Sequence, residues 1–345
     1  MAPRHRRRGT TVPDAAREPL RSIALLDEGD GAYRAPDPDG MRRFVRDEKD
    51  RRLVDKRMSE QDAVARFVHD GDYVSYDTNV WRRGPASLMR EIIRQRRRSL
   101  WLAAKFSAHD ATLLTAGGCV SDIDVGWMEV GRVINEAMQE GRVRLHEWTN
   151  GALAYRHLAG ALGVSFLPLR YVGGTDVFRM SGAKLIEDPY TGQPICLVPA
   201  VNPDVALIHV NQCDMYGNAR IFGPGLAPAE TAMASRRVIV STEEIIDPEE
   251  IRKHPGATTL PYYLVDAVVH APFGGYPGTV PGLYRADLQH LMEFGAAQEQ
   301  GTMDDYLDKW VFSVSSHTEM LERRVGLQKL HQLRAEETHT EGYYT

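Results

Sequence analysis

Residues Ser59–Phe106 read SEQDAVARFVHDGDYVSYDTNVWRRGPASLMREIIRQRRRSLWLAAKF, and this stretch decides the fold class. Ser59 precedes Asp62 by three residues, the spacing of a capping box, and Ala63, Val64, Phe67 and Val68 form an apolar helical stripe behind it. A turn at Gly71-Asp72 leads into the strand Tyr73-Val74-Ser75-Tyr76. Pro85 then opens a second amphipathic helix through Leu88, Ile92 and Ile93. That helix ends on the basic run Arg94–Arg98, where cations complement the carbonyl end of the helix dipole. The next strand is Leu100–Phe106. Helix, strand, helix, strand in this order is the signature of βαβ units rather than hairpins.

The same rhythm continues outward. A helix near Ala111–Ala116 precedes a strand at Asp122–Gly126, and a helix at Val133–Gln139 precedes a strand at Val143–Trp148. A helix at Ala152–Leu162 leads to a strand at Ser165–Tyr171. Repeats of roughly 25 to 35 residues predict an open, mainly parallel, doubly wound α/β sheet. Further apolar strands fall at Pro194–Pro199, Val205–Val210, Val238–Ser241 and Leu264–Ala271, with a turn at Asp214–Asn218. Helices are expected at Leu288–Gln298, Asp304–Val311 and His317–Leu333. Residues 1–54 mix Arg with Asp and Pro and lack apolar periodicity, which predicts a charged, mobile or loosely docked extension. Its cluster Arg4, Arg6, Arg7 and Arg8 reads as a solvated tail or as a contact to RNA or an acidic surface. The α/β domain is expected over 55–335, with a short tail at 336–345.

Composition removes several function classes. The 345 residues are 43% hydrophobic and 26% charged, with a formal net charge of −5, which makes nucleic acid an unlikely main partner. No uninterrupted apolar run approaches the ~20 residues of a membrane helix. The opening MAPRHRRRG has no apolar segment behind it, so a secretory signal is not expected. Cys119, Cys196 and Cys213 have no CxxC spacing and do not suggest a disulfide framework; a reducing, cytoplasmic setting is expected.

P-loop, GxGxxG, HExxH and GxSxG motifs are all missing, and no metal site is expected. His146-Glu147 has no second histidine four residues on, and His209 reads as a hydrogen-bonded core residue or, less readily, a catalytic one. Open α/β sheets bind ligands at the carboxyl ends of their strands. Three loops fall there: Asp77–Pro85, Glu147–Gly151 and the glycine-rich Ala271–Gly278. Glu129, just beyond the strand Asp122–Gly126, can join them, and Asn150 reads either as a helix cap or as a ligand contact.

At this level of detail the chain resembles the A-type (alpha) subunits of family I CoA-transferases, nearest in pattern to the alpha subunit of glutaconate CoA-transferase. The resemblance is carried, in order, by SEQDAVARFVHDG (59–71), PASLMREIIRQ (85–95), ALGVSFLPL (161–169) and PDVALIH (203–209). It continues through GNARIFG (217–223), TEEII (242–246), VDAVV (265–269), APFG (271–274), GLY (282–284) and KWVF (309–312). It spans roughly residues 59 to 334 and leaves the N-terminal extension unaccounted for.

The resemblance implies a two-subunit enzyme whose A-type and B-type chains share an α/β fold and whose attacking glutamate lies in the B-type subunit. That glutamate opens an acyl-CoA thioester to an acyl-glutamyl anhydride, then carries CoA as a glutamyl thioester to a second carboxylic acid. Covalent capture preserves the thioester's energy across both half-reactions. The A-type subunit typically lends a glycine-rich loop whose N–H groups face the developing oxyanion, with contacts to the acyl group. No resident cofactor is implied; a CoA thioester is substrate, and the partner is a B-type subunit.

This sequence departs from the family pattern at that loop. Where GGFG or GGFT is usual, Asp77-Thr78-Asn79-Val80 stands, with Pro85 retained. A carboxylate at Asp77 opposes an oxyanion unless it is protonated, turned away or paired with Arg82 or Arg83. The next glycine-rich stretch is replaced by Lys105–Asp110. Related ring-cleaving hydrolases of steroid degradation are expected to carry a catalytic glutamate where Asn150 stands, and an amide cannot act as base. The expected substrate-binding set is therefore Asp77, Thr78, Asn79, Arg82, Lys105, Trp127 and Asn150, with no nucleophile in this chain and Glu147 and Glu129 as catalytic candidates. Tyr76, Trp81, Phe106 and Trp127 suggest a larger or more apolar acyl group, or else core aromatics. Two other readings stay open: an acyl-CoA or C–C bond hydrolase using Glu147 or Glu129, and a non-catalytic scaffold or regulatory relative.

Overall fold

A computed structural model describes residues 24–338. The arginine cluster at Arg4–Arg8 and the end of the chain beyond 338 lie outside the described residues. Twelve strands are present among them: β1 (Leu25–Glu28), β2 (Tyr73–Tyr76), β3 (Leu100–Ser107), β4 (Val120–Met128), β5 (Arg144–Glu147), β6 (Phe166–Leu169), β7 (Lys184–Glu187), β8 (Pro194–Pro199), β9 (Val205–Cys213), β10 (Ala219–Arg220), β11 (Arg237–Ile245) and β12 (Ala267–His270).

The main sheet runs β12-β11-β9-β2-β3-β4-β5 with every neighbouring pair parallel, and β10 adds one antiparallel pairing to β9. This is the parallel, doubly wound α/β sheet expected from the sequence rhythm. Its central strands are buried on both faces, as helix-covered parallel sheets require. Alternation along β9 divides two cores. Val205 and Leu207 join Val74, Leu88, Ile92 and Leu102 on one face, whereas Ala206, Ile208 and Val210 meet Val238, Val240 and Ala232 on the other. Ser59 caps the helix, its Oγ accepting from the Asp62 amide at 3.0 Å.

Three expectations are corrected. The segment after helix Asn150–Leu162 does not extend the parallel series. β6 pairs antiparallel with β8 in a separate sheet of order β1-β7-β8-β6. Pro168 lacks the amide that a central strand needs, and it sits on an edge strand. Residues 25–54 are docked rather than loose. β1 pairs with β7, helix Pro38–Asp47 buries Met41 and Phe44, and buried Lys49 reaches Asp266 at 2.7 Å. The anchoring contacts are scattered side chains, among them Arg34 to Asp204 at 3.1 Å and Arg42 to the Gly163 carbonyl at 2.9 Å, and they leave no periodic pattern. The C-terminal helix expected at His317–Leu333 is broken at Gly326, whose φ of +82° suits a residue without Cβ. Among the described residues no helix is long and apolar enough to cross a membrane.

Helix Asn150–Leu162 sets the far end of the candidate site, and buried polar contacts hold it. Arg156 reaches Asp124 on β4 at 2.9 Å and lies 3.9 Å over the Trp148 ring, while Tyr73 donates its hydroxyl to the same carboxylate. His157 Nδ1 meets the Leu153 carbonyl at 2.7 Å, so Nδ1 donates and Nε2 accepts from Ser75 Oγ at 2.8 Å. Burial keeps the ring neutral by lowering its pKa well below the usual histidine range. Close packing finishes the seat. A Cβ on Gly160 would stand 2.1 Å from the Val201 carbonyl and 2.9 Å from Ala234 Cβ. Gly→Ala normally stabilises a helix interior. Here Gly160→Ala is expected to destabilise the protein by about 1–3 kcal/mol through overpacking, measurable as a lowered urea midpoint.

Candidate active site

The carboxyl ends of β2, β3, β4 and β5 carry the loops that the sequence singles out. The β2 exit is built on charge. Arg83 is fully buried with φ +55°, and its guanidinium donates to Asp77 and, at 2.8 Å, to the His209 carbonyl. Asp77 also accepts from the Leu226 amide at 3.1 Å. Of the ways to reconcile Asp77 with an oxyanion nearby, pairing with Arg83 is the one present.

The loop's amides are spent on backbone carbonyls. Asn79 and Arg82 exchange N–H···O bonds at 3.1 and 3.0 Å, Val80 donates to Phe106, and Arg83 donates to Thr279 at 2.7 Å. Thr78 is buried with Oγ1 3.3 Å from the Val80 carbonyl, while the Arg82 side chain is exposed. In this arrangement the amides of 79, 80, 82 and 83 are not a preformed oxyanion cradle.

The glycine-rich stretch after β12 is a buried turn, not an open ligand loop. Glu243 on β11 holds it by accepting from the Phe273 amide at 2.7 Å, the Gly274 amide at 3.2 Å and the Tyr284 hydroxyl at 2.7 Å. The same carboxylate takes His209 Nε2 at 2.7 Å, and His209 Nδ1 lies 2.9 Å from Ser241 Oγ. His209 is thus a hydrogen-bonded core histidine.

Lys105 is enclosed as well. Its ammonium donates to the Tyr76 carbonyl at 3.0 Å and to Thr231 Oγ1 at 2.9 Å, facing helix Pro228–Ala234. Burial pushes its pKa down to about 8, partly offset by the Asp77 carboxylate.

A cleft of about 320 Å³ opens between the ends of β2–β4 and helix Leu288–Gln300. Trp81, His109 and Glu129 line its sheet side; Leu291, Met292 and Gln298 line its helix side. Glu129 is the one residue of the expected set that reaches it. Asn150 follows the true N-cap, Thr149, whose Oγ1 accepts from the Ala152 amide at 2.9 Å. The Asn150 Oδ1 is buried without a protein partner, beside Gly126, where a Cβ would stand 2.6 Å from it. Glu147, at the end of β5, is half-buried. Trp127 is 44% exposed and packs edge-on to Phe106 at 4.8 Å; Tyr76 is in the core, so Trp81 alone of the four aromatics lines the cleft. Sequence reasoning missed the contribution of helix Leu288–Gln300, because no periodicity tells which buried or open space a helix faces. His109 was visible only as part of the stretch replacing the second glycine motif.

Comparison with known proteins adds to this geometry. Residues 57–271 match the coenzyme A transferase family model, a span that contains every strand of the main sheet. The A-type chain of glutaconate CoA-transferase from Acidaminococcus fermentans is 30% identical over 294 residues, covering 78% of this chain and 92% of the relative. The A-type chain of 3-oxoadipate CoA-transferase from Pseudomonas knackmussii is 30% identical over 269 residues, covering 75% and 94%. A cholesterol ring-cleaving hydrolase subunit of Rhodococcus jostii is 28% identical, covering 73% and 94%. The crystal structure of the Acidaminococcus glutaconate enzyme superposes with a TM-score of 0.77, covering 81% of this chain and 95% of that one.

Two outcomes test the electrostatics. Arg83→Met strands Asp77 as an uncompensated buried charge and is expected to cost about 3–5 kcal/mol in urea unfolding, with Asp77→Asn in the same chain recovering part of it. Lys105 has a folded pKa below its unfolded value, so between about pH 8 and 10.5 the unfolded chain binds more protons and stability rises with pH. The unfolding free energy of wild type is therefore expected to gain on that of Lys105→Met from pH 8 to pH 10; parallel pH profiles would contradict this.

Proposed function

The chain belongs to the coenzyme A transferase family, and from that premise we propose that it is the A-type subunit of a complex passing CoA between an acyl-CoA and a carboxylic acid. The attacking glutamate comes from a B-type subunit. The observation that carries this reading is the state of the chain's own carboxylates. Asp77 is neutralised by Arg83, and Glu243 is saturated by two backbone amides, a tyrosine hydroxyl and His209. Neither is free to attack a thioester, and Glu129 stands exposed at the rim of the cleft. A nucleophile delivered from a second chain fits a half-built site of this kind.

In this reading the A-type chain supplies walls and polar contacts, and the B-type chain supplies the covalent step. A thioester is a good electrophile and a carboxylate a modest nucleophile, so the reaction depends on orientation and on stabilising the oxyanion. With the amides of 79, 80, 82 and 83 already bonded, that stabilisation falls to groups the B-type chain brings or to the Asn150 amide. CoA enters and leaves as substrate, no resident cofactor is invoked, and the three unpaired cysteines agree with a cytoplasmic setting. A hydrolase with Glu129 as general base is the second reading, favoured by that carboxylate's place on the cleft.

Co-expression with a B-type subunit encoded nearby is expected to yield a stable complex. Exposure of that complex to acyl-CoA, then hydroxylamine, is expected to abolish activity by cleaving a glutamyl-CoA thioester. Release of free CoA to water without a carboxylic acid acceptor would overturn transfer and favour hydrolysis.

A further inference from the structure

Gly295 sits inside helix Leu288–Gln300, faces the cleft, and has no atom within 4 Å of where its Cβ would stand. A glycine in a helix interior costs about 1 kcal/mol relative to alanine, and no neighbour here demands it. What the missing side chain preserves is the volume of the cleft. Beside it, Leu288 and Met292 stand 62% and 73% exposed, one turn apart on the same helix and both lining the cleft.

Two residues that line the cleft carry polar atoms without a protein partner. His109 is 5% exposed and its Nε2 has no protein partner; Gln298 Oε1, across the cleft, is likewise buried and unpartnered. The His109 ring is held by Phe294 at a centroid distance of 4.3 Å. Unpaired buried polar groups are costly, and a ligand that pairs with them recovers that cost. The cleft's fixed charge is negative. Glu129 lines it, Asp110 lies 3.7 Å from His109, and neither lysine nor arginine lines it among the described residues.

Building on the transferase reading, we propose that this cleft is the acyl pocket, and that it selects an uncharged, mainly apolar acyl group whose length Gly295 sets. A second carboxylate on the acyl chain would meet Glu129 with no lysine or arginine lining the cleft to answer it, an arrangement that disfavours dicarboxylic acyl groups. The apolar wall of Leu288, Leu291 and Met292 instead gains with each methylene buried. His109 and Gln298 accommodate a neutral hydrogen-bonding group of the ligand.

The test measures binding by calorimetry in the complex of the full chain with its B-type partner, using acetyl-, hexanoyl- and glutaryl-CoA. Hexanoyl-CoA is expected to bind at least tenfold more tightly than glutaryl-CoA. Gly295→Leu, which fills the cleft without a backbone clash, is expected to weaken hexanoyl-CoA at least tenfold while changing acetyl-CoA less than threefold, with an unfolding midpoint at or above wild type. Equal or tighter binding of glutaryl-CoA overturns the proposal. So does a Gly295→Leu variant that folds but leaves chain-length preference unchanged, as expected if a protein segment fills the cleft. Selective hexanoyl-CoA binding with hydrolysis in place of transfer supports the pocket and strikes only the transferase reading.

Discussion

The buried guanidinium of Arg83 constrains the carboxyl end of the main sheet at β2. Arg83 has left water entirely, and its charge is tolerated because Asp77 and the His209 carbonyl meet it. Asp77 stands at the exit of β2 and His209 within β9, so these contacts tie two neighbouring strands to the 224–226 segment through the Leu226 amide. In this protein an ion pair organises the loop that the family pattern builds from glycines. Beside that pair the amides of 79, 80, 82 and 83 are bonded to backbone carbonyls.

Around that unit, polar networks position the remaining parts. Glu243 pins the turn after β12, and through Tyr284 and His209 it links β9, β11 and the glycine-rich stretch. On the opposite flank, Asp124, Arg156 and the Ser75–His157 pair hold helix Asn150–Leu162 against the sheet. Between these anchored flanks lies the cleft, closed on its outer side by helix Leu288–Gln300. The exposed leucine and methionine side chains of that helix stand outside the chain's core, which suits a surface completed by ligand or by a second protein chain.

Much of the architecture is legible in the sequence. The capping pair Ser59/Asp62, the apolar stripe behind it and the runs at 73–76, 100–106 and 205–210 each carry a local signal that survives in the structure. Sequence and structure part where local and global signals diverge. Residues 166–169 look like another strand of the series, yet join a different sheet, because strand propensity says nothing about which edge accepts the strand. Met41, Phe44, Lys49 and Arg34 help anchor a segment whose composition resembles a free arm, because scattered contacts need no periodicity. For the site, the loops at the strand ends were identifiable, but the accessibility of their side chains was not. Asp77 and Lys105 are buried, and the glycines at 274–275 are structural.

The sequence by itself determined the parallel α/β sheet and the family, since periodicity, turn chemistry and colinear motifs are properties of neighbours along the chain. It also determined that the usual glycine loop is missing. Only the tertiary structure decided that Arg83, not Arg82, neutralises Asp77, and that the lysine on β3 faces inward. It alone brought a helix far along the chain over His109 and Glu129 to form a cleft. The physical reason is that pairing of buried charges and the facing of surfaces depend on distances through space, which a strand's period of two and a helix's period of 3.6 do not encode.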